Sequence, residues 1–170
     1  MALDPKSLGK SYGPYRYEVG LEKVREFALA VGGGVPSASF SAAPIPSDLQ
    51  PLYFDPEYAK GTRHGSVVAP PTFAVLFNIR PFAAAVRDPE NGVDLLMLVH
   101  GEQEFEFLQP VKPGDVMETV GEVTVASARG GREFLTVVCQ SRNQRGELAV
   151  RGTYTAVIRT ARSGATHASP

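Results

Sequence analysis

Few groups in this chain can do acid–base or nucleophilic chemistry, and they are scattered. There are three histidines, His64, His100 and His167, and one cysteine, Cys139. No two histidines have the spacing that sets a pair of imidazoles on one face of an element, so no metal site is expected. A single cysteine allows no disulfide within the chain, and the apolar run Leu135-Thr136-Val137-Val138-Cys139 marks it as a small buried hydrophobe. Asp48 and Tyr53 share one short stretch. Asp48 is either an acid or base for a bound substrate or a loop aspartate capping a turn. Tyr53 either hydrogen-bonds a ligand or is a half-buried core tyrosine with a satisfied hydroxyl. His64 lies in the polar loop Gly61-Thr62-Arg63-His64-Gly65-Ser66, as a replacement base or as a solvated side chain. Arg63, Arg80 and Arg87 could meet a phosphate; solvated surface charge is the alternative reading.

These groups must be held by the elements around them. The segment Ala69-Pro70-Pro71-Thr72-Phe73-Ala74-Val75-Leu76-Phe77-Asn78-Ile79-Arg80 is helical in composition and apolar on nearly every side, so it must be enclosed all round. Pro71 suits its first turn, where a missing N–H costs nothing, and Pro81 should kink or restart it, with Phe82 to Val86 as a second segment. Ahead of it, Asp55 caps a short turn of helix that takes Pro56 at its first position and ends at Gly61. Nearer the N-terminus, Tyr15 to Val19 alternates as a short strand. Leu21 to Val31 places Leu21, Val24, Phe27 or Ala28, and Val31 on one helical face, and Gly32 stops it.

From Val93 the hydrophobic period changes to two. Strands are predicted over 93–99, 102–108, 116–128, 133–142 and 148–159, with Phe105 and Phe107 alternating against Glu104 and Glu106. Gly121 and Gly152 are read as bends or bulges in a curved sheet. Residues 1–14 form an arm, Val35 to Ser47 a loop and 161–170 a disordered tail, leaving a single domain over 15–160. The fold class is α+β: a curved antiparallel sheet wrapped around a central buried helix, the hotdog architecture.

Composition excludes some classes of function. The chain has 170 residues, 43% hydrophobic and 21% charged, with a net charge of −1. That balance gives no electrostatic reason to bind nucleic acid or an anionic membrane. No apolar run approaches the roughly 20 residues of a membrane helix. The first residues lack the apolar core of a signal peptide, and a cytoplasmic setting is expected.

Four segments carry a family resemblance: Asp48 to Ala59, Ala69 to Phe77, Gly101 to Asp115, and Leu148-Ala149-Val150-Arg151-Gly152. Together they resemble the MaoC-like hotdog proteins, which include the (R)-specific enoyl-CoA hydratases and (3R)-hydroxyacyl dehydratases. Active members of that family carry Asp-x-Asn-Pro-aliphatic-His, followed by x-Asp-x-x-x-Ala. Here Asp48, Pro51, Leu52, Asp55 and Ala59 match, Gln50 replaces Asn, and Tyr53 stands in place of the catalytic His. Active members open the central helix with His-Gly; this chain has Pro70-Pro71.

The resemblance implies an acyl-CoA or acyl-carrier-protein thioester as substrate and no cofactor. In the family, Asp and His activate the water that adds across the enoyl double bond, and an N–H at the helix start holds the thioester carbonyl. A phenol ionises near 10 in water and is a poor base at neutral pH, and Pro71 has no N–H to offer. Losing the base costs about 10²–10⁴-fold in rate. Tyr17-Glu18-Val19, the helix ending Glu26 to Gly32, and Val99-His100-Gly101-Glu102-Gln103-Glu104 resemble the non-catalytic N-terminal half of double-hotdog hydratases, which also occurs as a separate subunit of heterodimeric dehydratases.

The implied role is the acyl-chain-accommodating subunit, with Tyr53, Pro71, Phe73 and Phe77 against the substrate. The implied partner is a catalytic hotdog chain or a second copy of this one. Alternatives are a self-sufficient hydratase using Asp48 with His64 or a water, a thioesterase using Asp48 or Glu57, and an acyl-CoA binding module without chemistry.

Overall fold

The computed structural model describes residues 3–32 and 50–159. Asp48, the loop read over 35–47 and the tail over 161–170 fall outside the described residues.

Period-two patterning from the middle of the chain onward produces most of one sheet. The strands are β1 (Ser11–Glu18), β2 (Leu98–Phe107), β3 (Val116–Arg129), β4 (Arg132–Arg142) and β5 (Leu148–Arg159), all antiparallel in the order β1-β3-β4-β5-β2. Burial along β4 alternates residue by residue: Leu135, Val137 and Cys139 are fully enclosed, whereas Phe134, Thr136 and Val138 lie on the other face. One face of the sheet therefore carries the core.

The helices are α1 (Leu21–Val31), α2 (Pro56–Lys60), α3 (Val75–Asn78) and α4 (Arg80–Arg87), with 3₁₀ turns at Pro51–Tyr53 and Pro71–Ala74. The turn at Pro71, α3 and α4 form the central helical segment. Phe73 and Phe77 in its first part and Ala85 in its second have no exposed surface. As the sequence suggests, Ile79 parts α3 from α4 and Pro81 lies in the first turn of the restarted helix. Asp55 caps α2, its Oδ1 accepting from the N–H groups of Glu57 (2.8 Å) and Tyr58 (3.2 Å). A curved sheet around this central segment is the hotdog fold.

Two core clusters divide the interior. One gathers Val24, Phe73, Phe77, Met117 and Val150; the other gathers Phe82, Leu135, Val137, Tyr154 and Ile158. Between them the helix comes close to the sheet. Gly121, Cys139 and Gly152 are direct cross-strand neighbours on β3, β4 and β5. A Cβ on Gly121 would overlap Pro81, and one on Gly152 would overlap the Asn78 amide. This corrects the reading of Gly152 as a bend or bulge: it is paired in register with Cys139 and Phe105, and its missing side chain makes room for the helix. Gly121 also makes room for the helix, and it borders the register shift of β1 between Tyr12 and Tyr15; other shifts lie at His100/Glu102, Val123/Val125 and Ser141/Arg142.

Three other expectations change. Residues 93–97 are not a strand: Leu95 and Leu96 are exposed in a turn, and β2 starts at Leu98 and continues through the shift at Gly101, so two expected strands are one. β1 begins at Ser11, not Tyr15, because Ser11 and Tyr12 pair with Glu122 and Gly121. Val31, placed on the buried face of α1, is 57% exposed.

Candidate functional site

Asn78 is the one amide of the central helical segment, and it is fully buried. Its Nδ2 donates to Ser141 Oγ at 2.8 Å, its Oδ1 accepts from the Tyr154 hydroxyl at 2.9 Å, and Ser141 Oγ meets Thr119 Oγ1 at 2.7 Å. Every one of these groups is enclosed, so the bonds act where water cannot compete and fix the height and rotation of the helix on the sheet. Burial beside this network drives the Tyr154 phenol well above its ordinary range and pushes the Cys139 thiol up to about 12. Cys139 is therefore an inert core thiol.

Fixing the helix also fixes its first turn, and there the molecule opens. A cleft of about 400 Å³ is lined by Tyr53, Arg63, His64, Pro70, Pro71 and Phe107, with the chain from Leu108 to Val111 as its further wall. Tyr53 ends the turn at Pro51. That turn is held from behind by Arg25, whose Nε and Nη2 donate to the Phe54 carbonyl at 3.2 and 2.9 Å. The N–H of Val68 donates to Leu52 O and that of Ala69 to Val111 O, which strings the segment before the helix between both walls. Lys112 Nζ donates to the carbonyl of His64 at 2.7 Å and pins the loop that carries it.

The structure thus gathers Tyr53, His64 and Pro71 at one cleft. It does not bring Phe73 and Phe77 there. Both are fully enclosed, packed on each other and on Tyr17 and Phe27, so they hold the helix and do not line the cleft. Arg63 alone of the three candidate arginines reaches the cleft. Arg80 donates to Arg16 O and lies over the Tyr17 ring, and Arg87 donates to Ala83 O. Glu57 is in an ion pair with Lys60 on α2 and does not line the cleft. His100 lies on β2 against the rings of Phe82 and Tyr154. Sequence reading missed Arg25, Lys112 and Phe107 as parts of this site.

The chemistry left in the cleft is sparse. No carboxylate stands among its described lining residues. The imidazole Nε2 of His64 accepts from Arg63 Nε at 3.3 Å. Pro71 turns a ring toward the cleft where another residue would present an N–H.

The family of the FAS1-like dehydratase domain region matches residues 6–151. The chain belongs to it. Among curated relatives, a UPF0336 protein from Saccharopolyspora erythraea is 40% identical over 160 residues, covering 94% of this chain and 93% of its own length. Among solved structures, a C-terminally truncated HadBC (3R-hydroxyacyl-ACP dehydratase) complex from Mycobacterium tuberculosis superposes with a TM-score of 0.66 at 25% identity, over 88% of this chain and 96% of that one. A MaoC-like dehydratase superposes with a TM-score of 0.70 at 27% identity, over 91% of this chain but 43% of that one. No helix among the described residues is long and apolar enough to cross a membrane.

Proposed function

We propose that this chain is the non-catalytic, acyl-chain-accommodating hotdog subunit of an acyl-thioester hydratase or dehydratase. It acts beside a catalytic hotdog partner that supplies the Asp and His. The substrate class is a 3-hydroxyacyl or enoyl thioester of CoA or of a carrier protein. The observation that carries this reading is the cleft itself. In the motif resemblance Tyr53 stands where the family has its histidine and Pro71 where it has its N–H donor; both line this cleft, and the nearby His64 accepts from Arg63. What remains is a concave site with Phe107, Leu108 and Val111 on one wall, suited to holding an apolar chain and unsuited to moving a proton.

The test is hydration of crotonyl-CoA by the purified chain, alone and with a co-expressed catalytic hotdog chain that retains the Asp/His pair. The chain alone is expected to turn over at least about 10²-fold more slowly than the pair. Full turnover by the chain alone, abolished in Asp48→Asn, would establish the self-sufficient reading instead. Release of free thiol from acyl-CoA by the chain alone would establish a thioesterase.

A further inference from the structure

The cleft at the first turn of the central helix is graded from mouth to floor. Its polar side chains stand at the outer end: Arg63 and Gln109 are exposed, and Tyr53 and His64 are half-buried. The inner end is apolar and nearly closed off from solvent. Ala69 and Val111 are each 8% exposed, Val68 6% and Ala74 2%. A ligand with one apolar and one polar end gains most by entering tail first, because its polar end then stays in water. Behind the floor is solid core. Ala69, Ala74 and Val111 pack into one cluster with Phe73, Phe77, Met117 and Val150, and those four have no exposed surface. The floor is also pinned. Ala74 lies one helical turn ahead of Asn78, whose amide is held by Ser141 at 2.8 Å and by Tyr154 at 2.9 Å. The helix cannot sink to admit more of a ligand without parting that network.

We propose that the cleft takes an acyl chain tail first and that Ala74 and Val111 set a ceiling on its length, so that the thioesters it selects carry short to medium chains. The class of ligand rests on the function proposed above; the ceiling rests on the closed inner end alone. At about 400 Å³ the cleft stands near the small end of the roughly 300–1,000 Å³ range of small-molecule sites. The side chain of Ala74 is a single methyl group, and any larger residue there takes depth from the ligand. Each methylene that reaches the apolar walls tightens binding by roughly fourfold. One that arrives after the floor has been met gains nothing. It stays in water, or it forces the helix against the Asn78 network and meets the cost of overpacking. Selection by length then follows from where the gain stops.

Calorimetric titration of the purified chain with butyryl-, hexanoyl-, octanoyl-, decanoyl- and lauroyl-CoA tests the ceiling. Affinity is expected to climb by roughly fourfold per added methylene and to level off before lauroyl-CoA. Ala74→Leu should bring that break to a shorter chain. Val111→Ala, which removes bulk from the same end, should carry it to a longer one. Both changes lie in the core, so the folding of each variant is checked by circular dichroism. The readout is the position of the break, which a general loosening of the site would not move, since it lowers affinity for every chain alike. Affinity that keeps climbing through lauroyl-CoA, or a break that stays in place in a folded variant, overturns the ceiling and leaves the functional reading standing. If no member of the series binds, the functional reading falls and the ceiling with it.

Discussion

One helical segment serves two regions that are built on opposite terms. Beneath it, along Gly121, Cys139 and Gly152, the Pro81 ring and the Asn78 amide lie directly against the strands, and the amide of Asn78 is bonded on both its ends. At its first turn, around Tyr53 and Pro71, the chain leaves a cleft in which no hydrogen bond joins the phenol to another described side chain. The first region is closed and complete, and its side chains set stability. The second is open, and its side chains can change with little cost to the fold. That difference lets the residues at the cleft change while the scaffold beneath them is kept.

The comparison can be broken from either side. Gly152→Ala should have the largest effect. Its Cβ overlaps Asn78 and crowds the Tyr154 ring at 2.9 Å, so the network must separate, and urea unfolding should show a loss of about 3 kcal/mol. Asn78→Ala comes next, at about 2 kcal/mol, because it strands the buried Tyr154 hydroxyl and leaves Ser141 Oγ with Thr119 alone.

Alkaline pH tests the same region. The Cys139 thiol ionises near 9.0 in the unfolded chain and at about 12 when folded. The unfolded state therefore loses its proton first, and the stabilisation present below pH 9 is lost as pH rises toward 12. The slope contributed by this group approaches about 1.4 kcal/mol per pH unit. Unfolding midpoints of wild type and Cys139→Ala should diverge in that window and run parallel below it. The smallest effect belongs to the cleft. Tyr53→Phe should move stability by less than about 0.5 kcal/mol while weakening crotonyl-CoA binding by roughly fivefold, read by calorimetry. A large loss of stability in Tyr53→Phe would erase the distinction between the two regions.

How far the sequence could be read follows the same division. The central helix, its restart at Pro81, the caps of α2 and the strands from Val116 onward were legible because periodicity and proline placement are local signals. The role of Gly121 and Gly152 was not. A missing side chain in a strand looks the same whether it makes a bulge or admits a helix, and only the packing decides. Asn78 stood in plain view as an amide in an apolar run, but its partners come from β4 and β5, some 60 to 80 residues away in the chain. At the cleft, the motif resemblance marked Tyr53 and Pro71, and both line it. Enclosure of the central helix was expected from its apolar surface, but which of its rings lie wholly in the core was not, because an apolar helix offers no sign of which ring faces a cavity. Lys112 and Arg25 were hidden for another reason: both bind backbone carbonyls, and carbonyls have no sequence signature.

The strand order has a kinetic consequence. β3, β4 and β5 follow one another as hairpins, so their pairing closes only short loops. Leu98, by contrast, must find Ile158, and Ser11 must find Glu122. Loop-closure entropy makes those meetings late events, and refolding should therefore begin with a three-stranded meander that matures outward to both flanks. Hydrogen-exchange labelling during refolding should see amides of β4 protected first and those of β1 last.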